Sequence, residues 1–324
     1  LNDSEYHFEA KELFGYSFIE SDLPLDGKYN GNMTITLKYQ LHCDKTDLKK
    51  EIFEPLAVSE YINETVADYK LKCHVFSTIG SHGSLTVEQA LMNSCNPYMI
   101  HLALEMGNSR FAYYQSLFGF GKITGIDLPG ETTGIVYGDR MTTIDAACNS
   151  FGQTINVNMM QMMAAYCSII NGGMLYQPHI VKRIESANGE VVKEYKANLV
   201  RQTITASTSK LLRRYLKNTV EEGTAKKAGV TGYSVAGKTG TAQKGDRKDN
   251  KWIISFIGHA PAENPKFAIY VVIDEPYGTT GTSGSSADVL TLTHNILEKL
   301  LPYMNVYKDA SDEYEDTSSS PDEL

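Results

Sequence analysis

Hydrophobic and polar positions divide the chain into a stretch with weak periodicity and a longer one with clear helical and strand periods. Over residues 1–69 only "NMTITLKYQLH" alternates well enough for a strand, with Met33, Ile35 and Leu37 on one face, and "GKYNGN" ahead of it has the composition of a turn. After Asp44 the pattern is charged and irregular. In "SHGSLTVEQALMNSCNPYMIHLALEMG", Thr86 and Gln89 stand at capping-box spacing, which predicts a helix from Val87 to about Asn93. A second helix is predicted from near Pro97, with Met99, Leu102, Ala103 and Met106 as its apolar face and Gly107 as its stop. Ser94, Cys95 and Asn96 then fall in the connection between the two.

"FGFGKITGIDLPGE" reads as a Gly-rich loop; its glycines follow no dinucleotide fingerprint and no strand leads into it. The next helix, "NMMQMMAAYCSII", is bounded by Asn158, at capping spacing from Gln161, and by Asn171-Gly172-Gly173. The five methionines from Met159 to Met174 suggest a soft core stripe. "ITASTSKLLRRYLKNTVEEGTA" predicts a helix capped by Thr205 or Ser207 and ended by Gly223. Three apolar segments follow: Tyr233–Gln243, "WIISFIGHA" from Trp252 and "FAIYVVIDEP" from Phe267. Short polar links make them an antiparallel meander, and the last two are apolar enough to be covered on both faces. "SADVLTLTHNILEKLL" predicts a C-terminal helix ending at Pro302. The acidic, Ser-rich composition beyond Asn305 predicts a disordered tail.

Composition narrows the partners. A net charge of −9 argues against a nucleic-acid partner. No run of about 18 apolar residues is present to span a membrane. The five cysteines, Cys43, Cys73, Cys95, Cys148 and Cys167, form no CxxC pair, and no cluster of histidines is read near them, so they read as scattered small hydrophobes. Neither a metal nor another cofactor is expected.

Two short motifs carry chemistry. In "VAGKTGTAQ", the Lys238 ammonium and Thr239 hydroxyl can hold a substrate carboxylate. Gly240 leaves room for a peptide lying along the strand edge, and the Thr241 N–H can face a developing oxyanion. In "SCN", the Ser94 hydroxyl can relay a proton between a nucleophile and a leaving amine, and the Asn96 amide can hydrogen-bond a substrate backbone. Each motif has a structural counterpart: a Gly-rich turn for the first, a helix-capping link for the second.

Taken together, the S-x-N and K-T-G motifs resemble the penicillin-binding-protein transpeptidases, which carry S-x-x-K, S-x-N and K-T-G in that order. "FGFGKITGIDLPGE", "SFGQTINVNMMQMMAAYCSIINGG" and "VEEGTAKKAG" also look like family blocks in family order, over about residues 72–302, closest to the class B division and sporulation types. The resemblance implies an α+β, β-lactamase/transpeptidase-like fold: an antiparallel sheet flanked by helices plus an all-helical subdomain, with the site between them. It implies a domain over 70–303, a divergent N-terminal segment over 1–69 with remnant strands, and a tail over 304–324. It also implies an acyl transfer: a serine attacks a D-Ala–D-Ala carbonyl, D-Ala leaves, and the acyl group passes to an amine of a neighbouring stem peptide. The implied partners are the peptidoglycan stem peptide, β-lactams and other cell-wall synthesis proteins. The implied location is outside the cytoplasm, on a membrane anchor that this chain does not show.

One family motif is missing. None of the serines before Ser94 (Ser4, Ser17, Ser21, Ser59, Ser77, Ser81, Ser84) has a lysine three residues on, although Glu54-Pro55 echoes the family's approach to its nucleophile. The one S-x-x-K pair, Ser207 and Lys210, comes after S-x-N and reads as a helix cap. Three explanations stand side by side: a fragment or rearranged product, a pseudoenzyme that binds peptide without turning it over, or an unrecognised serine such as Ser59. The two functional classes are accordingly a serine D,D-transpeptidase, or a piece of one, and a non-catalytic binding or scaffold protein of a cell-wall complex.

Overall fold

The computed structural model describes residues 73–75, 78–80, 82–245, 251–276 and 285–309 in full, and the backbone of seven short strands between Ser4 and Leu71. The chain divides into two compact units, Leu1–Glu54 and Pro55–Leu324. In the first, β1 (Ser4–His7) pairs antiparallel with β3 (Asp26–Tyr29), and β2 (Tyr16–Ser21) with β4 (Leu37–Leu41). Strand β4 realises the end of the expected "NMTITLKYQLH" strand; Met33 and Ile35 lie outside the described residues. "GKYNGN" is not simply a turn, because Gly27, Lys28 and Tyr29 belong to β3.

The second unit opens with three short strands, β5 (Leu56–Ala57), β6 (Glu64–Val66) and β7 (Tyr69–Leu71), and β8 (Ser84–Leu85) pairs back onto β5. A helical region follows. Helix α1 (Val87–Met92) starts at the expected capping box, with the Thr86 hydroxyl accepting from the Gln89 N–H at 3.2 Å and the Gln89 side chain accepting from the Thr86 N–H at 2.9 Å. Helix α2 (Asn96–Met106) has Pro97 in its first turn and stops at Gly107, whose φ of 79° suits a residue without a Cβ. Two helices were not foreseen. Gly107 serves as the junction to α3 (Asn108–Leu117) rather than as a full stop, and α4 (Thr143–Ser150) carries its own Thr142/Asp145 capping box. Helix α5 (Met159–Ile170) is capped by Asn158, as expected. Its methionines make only part of a core stripe: Met159 is 52% exposed and Met160 and Met163 are half-buried, Met162 packs against the core, and the fully buried face is Gln161, Ala165, Tyr166, Ser168 and Ile170.

Two ribbons come next, β9 (Met174–Gln177) with β12 (Asn198–Gln202) and β10 (Arg183–Glu185) with β11 (Val191–Glu194), and then α6 (Ala206–Glu221). Its cap is Thr205, whose hydroxyl accepts from the Thr208 N–H at 3.1 Å; Ser207 is an exposed residue of the first turn. The expected meander is β13 (Ala236–Lys244), β14 (Lys251–Ala260) and β15 (Phe267–Asp274), antiparallel in sequence order, so β13 is an edge of this sheet. Helix α7 (Ala287–Tyr303) covers one face through Val289, Leu290, Leu297 and Leu301, which pack with Ile254, Phe256 and Ala260. Pro302 lies inside its last turn rather than ending it. Val306, expected in a tail, is buried in the same cluster, and the Asp309 N–H donates to the Gly232 carbonyl at 2.8 Å. Residues 310–324 lie outside the described residues.

The opposite face of the sheet meets α5 and α6, through Tyr166, Ile170 and Leu216 against Ala236 and Ile257. His259 stitches this layer. Its Nδ1 accepts from the Tyr166 hydroxyl at 2.8 Å, its Nε2–H donates to the Ala262 carbonyl at 3.1 Å, and burial lowers it to about 4, so the ring is neutral at neutral pH. Strand β15 is only half-buried along its length, less enclosed than its apolar run predicted.

Phe256 is the centre of the first layer. It is fully buried, and its ring fills the space beside Gly237 and Gly258, where an added Cβ would come within 2.5 Å of the Ile257 carbonyl oxygen and 2.7 Å of the Ala236 carbonyl oxygen, respectively. Replacing it leaves a cavity bounded by strand backbone that cannot collapse. Phe256→Ala is expected to cost about 3–5 kcal/mol of unfolding free energy, measured by urea denaturation. A loss under about 1 kcal/mol would mean that the layer repacks and that Phe256 is not its keystone.

Candidate active site

Ser94 sits in the link between α1 and α2. Its φ is 50°, in the left-handed region that non-glycine residues seldom occupy. The conformation is held by two turn hydrogen bonds, from the Ser94 N–H to the Leu91 carbonyl at 3.2 Å and from the Cys95 N–H to the Ala90 carbonyl at 2.9 Å. Asn96 is already the first residue of α2 rather than part of the link, and its side chain is half-buried.

Lys238 comes from the edge strand β13, opposite Ile257 of β14. Its ammonium donates to the Ser94 hydroxyl across 144 positions of sequence and to the Thr239 carbonyl at 3.1 Å, and it lies 3.5 Å from the Thr239 hydroxyl. Three of the expected site residues therefore meet: Ser94, Lys238 and Thr239. Thr241 is exposed further along β13. Gly240 has a second reason to be glycine besides clearance for a ligand, because a Cβ there would lie 2.6 Å from the hydroxyl of Ser255 on β14.

Burial lowers Lys238 to about 8. Desolvation penalises the ammonium, and among the described residues no carboxylate is bonded to it to offset that penalty. Near neutral pH the group can donate to an anion or, in its minority neutral form, accept a proton from the hydroxyl it touches.

The end of α6 brings the two motifs together. Thr219 donates to the Gly237 carbonyl of β13 and to the Leu216 carbonyl of its own helix. On the other side, the Asn218 amide donates to the Glu88 carboxylate of α1, and the Thr224 N–H donates to the carbonyl of Met92, at the end of α1, at 3.1 Å. Gly223 is compressed there; a Cβ would lie 2.7 Å from the Met92 carbonyl oxygen. The Thr224 hydroxyl then reaches that of Thr239 at 3.4 Å. Sequence reasoning had "VEEGTAKKAG" as a block without singling out these residues. The Gly-Thr pair after a helix was the available signal.

The expectation that no histidines lie near the cysteines does not hold. The Cys73 sulfur is 3.6 Å from His74 Nδ1 and 3.7 Å from His82 Nδ1, and Cys95, next to Ser94, completes a group with Cys73 and His82 whose ligating atoms all lie within 4.8 Å of one another. The sequence itself places His74 beside Cys73; what primary spacing hides is Cys95, 22 positions beyond Cys73 and brought back by the chain's return through α1. The Gly-rich loop after α3 is not a ligand cradle in this structure. The Glu131 carboxylate fills it, accepting from the Thr124 N–H at 2.8 Å, the Thr124 hydroxyl at 2.7 Å and the Gly125 N–H at 3.0 Å.

Comparison with known proteins places this geometry. The penicillin binding protein transpeptidase domain model matches residues 62–298. Stage V sporulation protein D of Bacillus subtilis is 37% identical over 298 residues, covering 90% of this chain and 45% of that protein. Peptidoglycan D,D-transpeptidase FtsI of Escherichia coli K12 is 32% identical over 248 residues, covering 75% of this chain and 40% of that protein. The crystal structure of penicillin binding protein 3 from Mycobacterium tuberculosis in complex with ampicillin superposes with a TM-score of 0.70 at 28% identity, over 81% of this chain and 59% of that one. The chain thus spans less than half the length of these two curated relatives.

The burial of Lys238 has a pH signature. The unfolded chain keeps this lysine protonated up to about 10.5 and the folded chain only up to about 8, so between these values the unfolded state binds more protons. The contribution of Lys238 therefore makes stability rise with pH across that window. Unfolding free energies measured from pH 7 to 10.5 should climb more steeply for the wild type than for Lys238→Met, and parallel curves would show that the ammonium is not desolvated.

Proposed function

The chain belongs to the penicillin-binding protein transpeptidase family, and on that premise we propose that its cleft binds the D-Ala–D-Ala end of a peptidoglycan stem peptide. The observation that carries this reading is the Lys238 ammonium on the Ser94 hydroxyl, beside Thr239, on a strand with an open edge. An extended peptide can add to β13 through main-chain hydrogen bonds, with its terminal carboxylate received by Lys238 and the hydroxyls of Thr239 and Thr224. Asn96, at the start of α2, faces the peptide's backbone amide, and the Thr241 N–H serves the carbonyl that would become an oxyanion.

Ser94 and Lys238 would form a proton path to a leaving amine, at a pKa set by burial, only where a nucleophile is supplied. β-Lactams enter the same cleft because they mimic the terminal dipeptide. Within this sequence no serine ahead of Ser94 has its lysine one helical turn away, and Ser207 and Lys210 are both exposed on the first turn of α6. This chain therefore recognises the peptide and the drug without forming an acyl-enzyme, and the drug is held non-covalently. The place of action is outside the cytoplasm, where stem peptides are found, in company with other cell-wall synthesis proteins. Among the described residues no helix is long and apolar enough to cross a membrane.

A fluorescent penicillin is expected to bind reversibly and to leave no label on a denaturing gel; a covalent adduct on one serine would refute the non-acylating reading. A fluorescent peptide ending in D-Ala–D-Ala should bind the wild type. Lys238→Ala should weaken it by about 10- to 150-fold, the range for a hydrogen bond to a charged group of about 1.5–3 kcal/mol. Equal affinity for the variant would remove Lys238 from the carboxylate site.

A further inference from the structure

Beside Ser94, outside the contacts assigned to peptide binding, lie two thiols and two imidazoles. Cys95 is fully buried and Cys73 is 8% exposed; His82 is half-buried. The donors come from two separate segments, the stretch from Cys73 to His82 and the turn that carries Ser94 and caps α2. A cysteine paired with one histidine needs no further sulfur. Here a second sulfur, that of Cys95, joins the pair, and the exposed His74 stands at the rim, its ring 5.6 Å from that of His82 and its Nδ1 3.6 Å from the Cys73 sulfur.

The spacing is that of a coordination polyhedron. In a tetrahedral zinc site with Zn–S about 2.3 Å and Zn–N about 2.0–2.1 Å, neighbouring sulfur and nitrogen ligands stand about 3.6 Å apart. The Cys73 sulfur stands 3.7 Å from the His82 nitrogen, and the ligating atoms of Cys73, His82 and Cys95 all lie within 4.8 Å of one another. The charge also closes. Two thiolates and a neutral imidazole around a divalent ion sum to zero, which suits a buried position where an unbalanced charge is costly. Thiolate and imidazole donors select zinc over the hard cations magnesium and calcium.

We propose that Cys73, His82 and Cys95 bind a structural zinc ion, with His74 on the remaining side of the site, and that this ion fastens the 73–82 segment to the turn that presents Ser94. On binding, both thiols release their protons to solvent and each sulfur lone pair forms a bond to the metal; no electron changes hands. Zinc bound through Cys95 holds the residue immediately after Ser94, and so supports the left-handed turn that points the hydroxyl at Lys238. The proposal does not depend on the ligand assigned to the cleft.

The test uses the full chain, expressed with zinc and purified without chelator. Elemental analysis should find about one zinc per chain in the wild type and in Cys167→Ser, and less than about a tenth of that in Cys73→Ser, His82→Ala and Cys95→Ser. Because a variant can lose metal by failing to fold, two measurements use only the wild type. Cobalt substituted for zinc should give an intense thiolate-to-cobalt charge-transfer band in the near ultraviolet. Stripping the metal with a chelator should lower the melting midpoint, and added zinc should restore it. The proposal is overturned if the wild type stays metal-free after incubation with zinc, if cobalt gives no thiolate band, or if Cys73 and Cys95 are recovered as a disulfide without metal.

Discussion

Everything at the cleft depends on the last turn of α6 gripping two elements at once. Thr219 turns its hydroxyl onto the Gly237 carbonyl of β13, while Asn218 and the Thr224 N–H hold Glu88 and Met92 of α1. These are short polar contacts to backbone or to a carboxylate, with directional requirements that apolar packing does not impose. They set the distance between the strand that bears Lys238 and the helix pair that bears Ser94. Gly223 is the geometric condition for the grip, since any side chain there meets the Met92 carbonyl.

Around that clamp the chain departs twice from relaxed local structure. Ser94 occupies a left-handed conformation, and Lys238 is desolvated with no acidic partner bonded to it among the described residues. Each alone is a cost; together they make one hydrogen bond that neither segment would form in isolation. The scaffold that bears the cost is the two-layer packing of the sheet. Phe256 and α7 fill one face, and Tyr166, Leu216 and the neutral His259 fill the other. Such concentration of strain and perturbed ionisation at one place, on an otherwise regular framework, is characteristic of binding and catalytic sites.

The turn between α1 and α2 is where several arguments converge. It is entered from a helix with a capping box at its start, it carries Ser94, and it ends in Cys95, which also approaches Cys73 and His82. Support for the Ser94 hydroxyl thus arrives from three directions: the backbone turn itself, the α6 clamp through α1, and the thiol–imidazole group behind Cys95. Among the described residues β13, which bears Lys238, is an edge strand of its sheet.

Elements with strong local signals can be read directly from the chain. The Thr86/Gln89 and Asn158/Gln161 boxes, the Pro97 start, the α6 helix and the three-strand meander were all legible, because capping and periodicity are interactions between residues a few positions apart. The K-T-G and S-x-N motifs marked Ser94, Asn96, Lys238, Thr239, Gly240 and Thr241 as candidates for the same reason. Local signals were also missed or overread: the Thr142/Asp145 box of α4 was there to be found, and the α5 methionines suggested a core face that the fold gives mainly to Gln161, Ala165 and Tyr166. That Lys238 meets Ser94, that Thr224 joins Thr239, that Val306 is core, and that Cys73, Cys95 and His82 come together are matters of tertiary packing. Those relations depend on how α6 and the sheet close over one another. They are non-local contacts, whose formation depends on the packing of the whole domain and leaves no period or spacing in the chain to read.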